Sequence, residues 1–371
     1  MRVGVPKEIK TNENRVALIP AGVEILRNCG HDVIIEKAAG IGSGFTDKDY
    51  TDAGARIAQD SAQIFEKSDM IMKVKEPLPE EYGLICENQI VFTYFHFAAS
   101  RGLTNAIVDS KCIAIAYETV QNDEGQLPLL IPMSEVAGRM AIQEGARYLE
   151  KLHGGKGILL GGVPGVEPAS VVILGGGIVG TNAAKIAAGL GARVQILDID
   201  LERLRYLDDV MPKNVITVMS NPANIRRAIS EADLIIGAVL IPGAKAPSLI
   251  TRDMLKIMKK GTVIADVAVD QGGCVETIKP TTHEEPIYEI EGVIHYGVAN
   301  MPGAVPMTST KALTNATLPY ALQIANEGFP RIAKSNREIA KGVNIASGKI
   351  TYKSVADEFN LPYTPLAEIV Q

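Results

Sequence analysis

Residues 171–200 read VVILGGGIVGTNAAKIAAGLGARVQILDID. An apolar run leads into Gly175, Gly177 and Gly180 at the spacing GxGxxG, then an Ala-rich stretch, a second apolar run and Asp198 near its end. That order specifies a strand, a glycine turn, a helix, a second strand and an acidic residue, the full context of a dinucleotide-binding turn. Gly175 permits the tight turn, Gly177 lets a pyrophosphate approach backbone N–H groups at the helix N-terminus, and Gly180 allows close helix-to-strand packing. A carboxylate at Asp198 accepts hydrogen bonds from the adenosine ribose and repels a 2′-phosphate, which selects NAD over NADP. The competing reading is a solvated Asp198 with Arg203 and Arg205 serving a phosphate.

Working outward, RVQILDID (193–200), VITVMS (215–220), LIIGAV (234–239), TVIADVAVD (262–270) and IHYGVAN (294–300) continue as strands of a parallel sheet with crossover helices. Upstream, RVGVP (2–6), DVIIEKA (32–38), MIMKVK (70–75), IVFTYF (90–95) and CIAIAYE (112–118) form another such series. PAGVEILRNCG reads as a helix stopped by Gly30. A polar loop, QNDEGQLP (121–128), closes the first block, and Ser134 is the expected N-cap of a helix running to His153 before Gly154 and Gly155. KALTNATLPYALQIANE (311–327) is helical in pattern, with Pro319 expected to kink or interrupt it. The tail, 328–371, is too short for a domain and is expected to pack on the first block in helical pieces. The expected fold class is α/β: two doubly wound Rossmann-like parallel-sheet domains separated by a cleft. A discontinuous substrate domain takes 1–130 and 307–371, and the NAD-binding domain takes 131–306.

Composition removes several function classes. Of 371 residues, 46% are hydrophobic and 22% charged, an ordinary globular balance. Lys+Arg 37 against Asp+Glu 43 gives a net charge of -6 with no basic run, so nucleic acid is not an expected partner. MRVGVPKEIK carries charges where a secretory signal needs an apolar core, and no apolar stretch reaches the roughly 18 residues of a membrane span, so a cytoplasmic protein is expected. Cys29, Cys86, Cys112 and Cys274 show no CxxC pair and no His at ligand spacing. They are expected to be small buried apolar residues.

In open α/β sheets ligands gather at the carboxyl ends of strands, which gives a short list of candidates. In the first block these are Lys75 after MIMKV, His96 after IVFTYF and Glu118 after CIAIAY, joined by Arg15 from the loop after the first strand. Each taken singly reads as a solvated charge or a structural residue. Together they supply an anion-binding pair and a proton-transfer group, as oxidation of a small carboxylate requires. Arg grips a carboxylate bidentately, and a Lys point charge suits a carbonyl or carboxylate oxygen. In the second block Asp270 closes TVIADVAVD and Asn300 closes HYGVAN. Asp266, two and four residues before Ala268 and Asp270, shares their strand face and competes with Asp270.

GVPKEIKTNENRVALIP, the KVKEP turn, FTYFHFA, the glycine turn with Asp198, and DVAVDQGG together resemble the alanine dehydrogenase family over essentially the whole chain. Its superfamily includes the NAD-binding subunit of proton-translocating transhydrogenase and saccharopine-type dehydrogenases. The resemblance implies NAD-dependent oxidation of L-alanine to pyruvate and ammonium, and commonly a homohexamer. It implies that Arg15 and Lys75 hold the substrate and that His96 and Asp270 are the catalytic pair. Tyr94, Glu118 and Asn300 are further substrate-site candidates, against core packing for Tyr94 and an ion pair with Arg15 or Lys75 for Glu118. Cofactor contacts are implied at Ser134, Ile178, Val179, Asp198, Arg203, Ser220, Val239, Leu240, Val267, Ala268, Val269, Asp270, Val298, Ala299, Asn300 and Met301, beside Gly175, Gly177 and Gly180. Some relatives carry a metal pair on the late helix, where this chain has Gln323 and Glu327, and no metal is expected. The alternatives are a transhydrogenase subunit, a saccharopine-type enzyme and an NAD-binding regulator without turnover.

Overall fold

A computed structural model describes residues 1–239 and 247–370. The chain forms two compact units, Met1–Met133 with Val305–Gln371, and Ser134–Ala304.

The first unit opens with Arg2–Val5 (β1), Asp32–Glu36 (β2), Arg56–Ala58 (β3), Met70–Met72 (β4), Ile90–Thr93 (β5) and Ile113–Ala116 (β6). They pair in parallel in the order β3-β2-β1-β4-β5-β6. Every residue of β4, β5 and β6 is buried, which explains why these runs are continuously apolar rather than alternating. The chain direction across the sheet reverses between β1 and β4, the point where a crevice opens at the carboxyl ends. Ile64, Phe65, Ile71, Val91, Phe95, Ile107 and Ala114 pack together as its core.

The second unit carries Ser170–Leu174 (β7), Arg193–Asp198 (β8), Val215–Met219 (β9), Leu234–Gly237 (β10), Val263–Asp266 (β11), Ile287–Ile290 (β12) and Val293–Tyr296 (β13). Their order is β9-β8-β7-β10-β11-β13-β12, parallel except for β12, which closes the edge antiparallel to β13. The reversal lies between β7 and β10.

The tail adds two strands that the sequence reading missed, Val343–Ala346 (β14) and Lys349–Ile350 (β15). β14 runs antiparallel to β6 and extends the first sheet to eight strands. Short helices, among them Arg337–Gly342 and Lys353–Phe359, flank this hairpin.

Other expectations need correction. The helix expected from Ser134 starts at Ile131, so Ser134 sits inside it rather than capping it. Pro132 explains the earlier start, because a first helical turn needs no N–H from it. The helix ends at Tyr148, and Lys151–His153 is a separate 3₁₀ turn before Gly154. Pro319 does not interrupt Pro306–Glu327. Thr310, Leu313, Thr314, Thr317, Ala321 and Ile324 bury one face at three- and four-residue intervals, and that packing outweighs a proline cost of about 3 kcal/mol. Cys112 and Cys274 are buried, but Cys29 and Cys86 are exposed; all four are free. Most strands stop short of the runs read for them, and in two cases this moves candidate site residues off the sheet. β11 stops at Asp266 and β13 at Tyr296, so Asp270 and Asn300 lie in turns.

Candidate active site

In the first unit, four segments leaving the carboxyl ends of β1, β4, β5 and β6 bring the predicted residues to one edge of the sheet. Arg15 follows β1 and is almost wholly buried. Its Nε and Nη2 donate to the two carboxylate oxygens of Glu13, at 2.7 and 2.5 Å, and Nη1 faces Met133 Sδ at 3.1 Å. Burial opposes the Arg15 charge, and the hydrogen bonds and charge of Glu13 more than offset it. The expected bidentate grip is therefore made on Glu13, through a pairing that the sequence reading did not weigh.

Lys75 follows β4. Its ammonium has no hydrogen-bond or ion-pair partner among the described residues, and its pKa is pushed below the usual lysine value by burial, then by Arg15 and Lys10. Glu76 and Glu13 oppose this only in part. A buried lysine depressed beside an arginine is an electrostatic setting that favours a nearby anion, which makes Lys75 a candidate site residue.

His96 leaves β5 with φ 50 and ψ 45, the left-handed region that non-glycine residues seldom occupy. Glu118, arriving from β6, holds it there: one carboxylate oxygen accepts the His96 N–H at 2.6 Å, and both oxygens lie 3.2–3.3 Å from the Phe95 nitrogen. Glu118 thus pairs with backbone amides rather than with Arg15 or Lys75. The exposed His96 ring stacks on Tyr94, with centroids 5.9 Å apart and planes 8° from parallel. The buried Tyr94 hydroxyl donates to the Leu129 carbonyl at 2.5 Å. Tyr94 combines core packing with a supporting face for the imidazole.

In the second unit the glycine turn has the geometry that a dinucleotide needs. Gly175 has φ +100, and a Cβ there would lie 2.7 Å from the Ala238 carbonyl oxygen. A Cβ on Gly180 would sit 1.9 Å from the Gly175 carbonyl oxygen, so the helix Ile178–Gly189 could not lie this close to the turn. At Gly177 a Cβ would meet no protein atom within 4 Å, which is the space a phosphate would use. No side chain caps this helix, leaving its first amides to a ligand. Asp198 ends β8; its oxygens accept from Gly176 N–H at 2.6 Å and Asp200 N–H at 2.9 Å. Arg203 donates to the Gly176 carbonyl and to Thr181 Oγ1, both at 2.6 Å, so its guanidinium braces the turn. Ser220, just past β9, donates its N–H to the Asp198 carbonyl, and Val239 follows β10. Leu240 lies outside the described residues.

Val267, Ala268, Val269 and Asp270 form a turn and a short 3₁₀ segment. The alternation argument therefore does not relate Asp266 to Asp270. Asp266 is fully buried and accepts from Ala268 N–H and Cys274 N–H at 2.9 and 2.8 Å, which closes the loop between them. Asp270 is exposed on that loop. Val298 and Met301 are buried and Ala299 half-buried, and Asn300 between them has φ +61 and accepts the Gly303 N–H at 2.9 Å. On the helix Pro306–Glu327, Gln323 accepts from Asn336 at 2.8 Å and Glu327 accepts from Ser335. Among the described residues no cluster of His, Cys, Asp or Glu is arranged to hold a metal, and no helix is long and apolar enough to cross a membrane.

Sequence reasoning missed Glu8, Lys73 and Glu81, which form a buried ionic cluster beneath Lys75. The available signal was Lys73 itself, a charge directly after an apolar central strand.

A family model described as the alanine dehydrogenase/PNT N-terminal domain matches residues 4–137, and the corresponding C-terminal domain model matches 141–353. The alanine dehydrogenase of Methanococcus maripaludis is 60% identical over 366 residues, 98% of each chain. That of Staphylococcus haemolyticus is 56% identical over 372 aligned positions, covering 100% of both. Among solved structures, an L-alanine dehydrogenase matches with a TM-score of 0.94 at 52% identity, over 97% of this chain and 99% of the other. A transhydrogenase from Sinorhizobium meliloti matches with a TM-score of 0.80 at 24% identity, over 95% and 99%, a likeness of fold alone.

Proposed function

The chain belongs to the alanine dehydrogenase family, and from that premise we propose that it oxidises L-alanine to pyruvate and ammonium with NAD, reversibly. The observation that carries this reading is the placing of Arg15, Lys75 and His96 at the carboxyl ends of one sheet, with Lys75 held below its usual pKa beside Arg15. A protein that only carried NAD would have no use for that set.

NAD bound on the glycine turn supplies the acceptor for the hydride leaving the alanine Cα. Gly175, Gly177, Gly180 and the Ile178–Val179 amides suit its pyrophosphate, and Asp198 suits its ribose. Ser134, Arg203, Ser220, Val239, Val267, Ala268, Val269, Val298, Ala299, Asn300 and Met301 complete the proposed cofactor set. Lys75 carries the larger share of the substrate's carboxylate end, because the Nε–Nη2 edge of Arg15 is committed to Glu13. Once the imine of pyruvate has formed, water must add to its carbon and ammonia must leave. His96 takes a proton from that water and returns one to the departing nitrogen, and Asp270 orients the water. Tyr94 and Glu118 act by holding His96. A cytoplasmic homohexamer completes the reading. Leu152, Leu159, Val163 and Val166, all exposed within one short segment of the second unit, support self-association, and light scattering reads the mass.

The test is direct: purified protein with NAD and a panel of amino acids at alkaline pH, followed by nicotinamide absorbance. Alanine should be oxidised fastest. Tight NADH binding with no amino-acid turnover would leave a transhydrogenase-like or regulatory protein instead.

Asp198→Ala tests the cofactor choice. Loss of charge-assisted bonds to the ribose removes roughly 1.5–3 kcal/mol and the bar to a 2′-phosphate. The NAD/NADP ratio of kcat/KM should fall about ten- to a hundredfold. Because Asp198 also holds the Gly176 amide, KM should rise for both cofactors, so the ratio is the informative quantity. An unchanged ratio would remove Asp198 from the ribose site.

A further inference from the structure

Between Met72, where β4 ends, and the helix Pro79–Tyr82, the backbone has left the sheet and its amides need other acceptors. Val74 N–H donates to Glu8 Oε1 at 2.6 Å, and Lys75 N–H reaches the same oxygen at 3.4 Å. The Lys75 carbonyl accepts from Thr93 Oγ1 at 3.0 Å, and Leu78 N–H donates to Glu81 Oε2 at 2.9 Å. One cation ties the two carboxylates together: Lys73 Nζ lies 3.3 Å from Glu8 Oε2 and 2.8 Å from Glu81 Oε1, with all three side chains at most 3% exposed. Burial opposes the Lys73 charge, yet the pair of carboxylates holds its pKa above the usual lysine value.

A buried ionic triad is seldom more stabilising than apolar residues of the same volume, so its presence here calls for a positional role. We propose that Glu8, clamped by Lys73 and Glu81, is a positioning residue that fixes the Lys75 backbone, and so its ammonium, against the carboxylate end of the substrate. This rests on the reading of Lys75 as a substrate anchor. Lys75 is surrounded by Arg15 and Lys10 on one side of the charge balance and by Glu13 and Glu76 on the other. A Lys75 released from its backbone tether swings toward water and escapes that surrounding.

Two double variants isolate the amide acceptor from the buried charge. Glu8→Ala with Lys73→Met removes the acceptor and the Glu8–Lys73 charges; Glu8→Gln with Lys73→Met deletes the same two charges but keeps an oxygen for Val74 N–H, and Glu81 is left alike in both. The readouts are pyruvate affinity in the presence of NADH, its pH profile, NADH affinity and Tm. The Ala double should bind pyruvate at least about tenfold more weakly, a loss typical of a misplaced anchor, with its alkaline limb moved to higher pH and NADH affinity unchanged. The Gln double should recover most of that loss. Equal pyruvate affinity in the two doubles would overturn the proposal. If neither double folds, Glu8→Ala alone decides, since it removes the acceptor and leaves Lys73 paired with Glu81: a tenfold weaker pyruvate affinity with normal NADH binding supports the role, and no change overturns it. Lys75→Ala is the control. If it binds pyruvate like the parent, the anchor reading itself has failed; if it does not, while the Glu8 variants behave as the parent, only the positioning role has.

Discussion

Lys75→Ala should lower kcat/KM for alanine by about 10² to 10³, the effect of losing a charge-assisted anchor worth roughly 3–4 kcal/mol, while NADH binds as before. The cofactor turn belongs to the other unit, so the two readouts are separable. Loss of NADH affinity along with activity would mean that Lys75 supports folding or touches cofactor. A second consequence follows from the sign of the pKa shift. Burial first, then Arg15 and Lys10, depress the Lys75 pKa, so the folded protein releases this proton at lower pH than the unfolded chain. Between the two values the unfolded state binds more protons, and stability from this group rises with pH. The charged ammonium is thus destabilising when no anion is present. Lys75→Met should leave Tm equal or higher even as it lowers kcat/KM to a similar extent as Lys75→Ala, the expected trade at a site prepared for a ligand. Pyruvate affinity should fall with rising pH sooner than an ordinary lysine would dictate. In Lys75→Arg, which stays charged, that alkaline limb should disappear.

The fold was legible wherever local chemistry and global packing demanded the same residues. The central strands β4 to β6 are buried throughout and read as uninterrupted apolar runs, and the glycine turn carries steric demands that only glycine meets at Gly175 and Gly180. Where tertiary packing overrides local preference, the reading failed. The helix through Pro319 was expected, but the interruption allowed for there does not occur, because one face of that helix is buried along its length. β14 and β15 are short and flanked by helical sequence, and β6, the strand that β14 joins, is more than two hundred residues away in the chain.

For the candidate site, strand-end placement could be read because a parallel sheet sends its carboxyl ends to one edge. Pairings could not. Glu13 and Arg15 are two residues apart in a loop, where no periodicity announces an ion pair. Glu8, Lys73 and Glu81 each look like a solvated charge until the sheet order sets β1 beside β4. Asp266 and Asp270 looked equivalent only on the assumption that the strand ran through both. In the fold one is the buried latch of a loop and the other is exposed on it.

Replacement of His96 should have an effect of similar or greater size on kcat, about 10² to 10⁴, the usual worth of a general acid or base. The choice of substitute matters because of the backbone. His96 sits at φ 50, and left-handed geometry costs a non-glycine residue roughly 1–2 kcal/mol, met here by the Glu118 carboxylate on the His96 and Phe95 amides. Alanine deletes the imidazole and is also poorly suited to that conformation, so His96→Ala confounds two losses. Asparagine tolerates the left-handed region, keeps a hydrogen-bonding amide and cannot titrate, which makes His96→Asn the cleaner probe. It should retain NADH and pyruvate affinity, lose kcat, and lose whichever limb of the pH profile belongs to the imidazole. Glu118→Gln should act on kcat through the same residue, by about tenfold, with the shape of the pH profile preserved because the imidazole is still present. A His96→Asn enzyme turning over near the parental rate with an unaltered profile would make His96 a polar contact. The proton transfers would then pass to the exposed Asp270, and Asp270→Asn would become the variant that abolishes turnover.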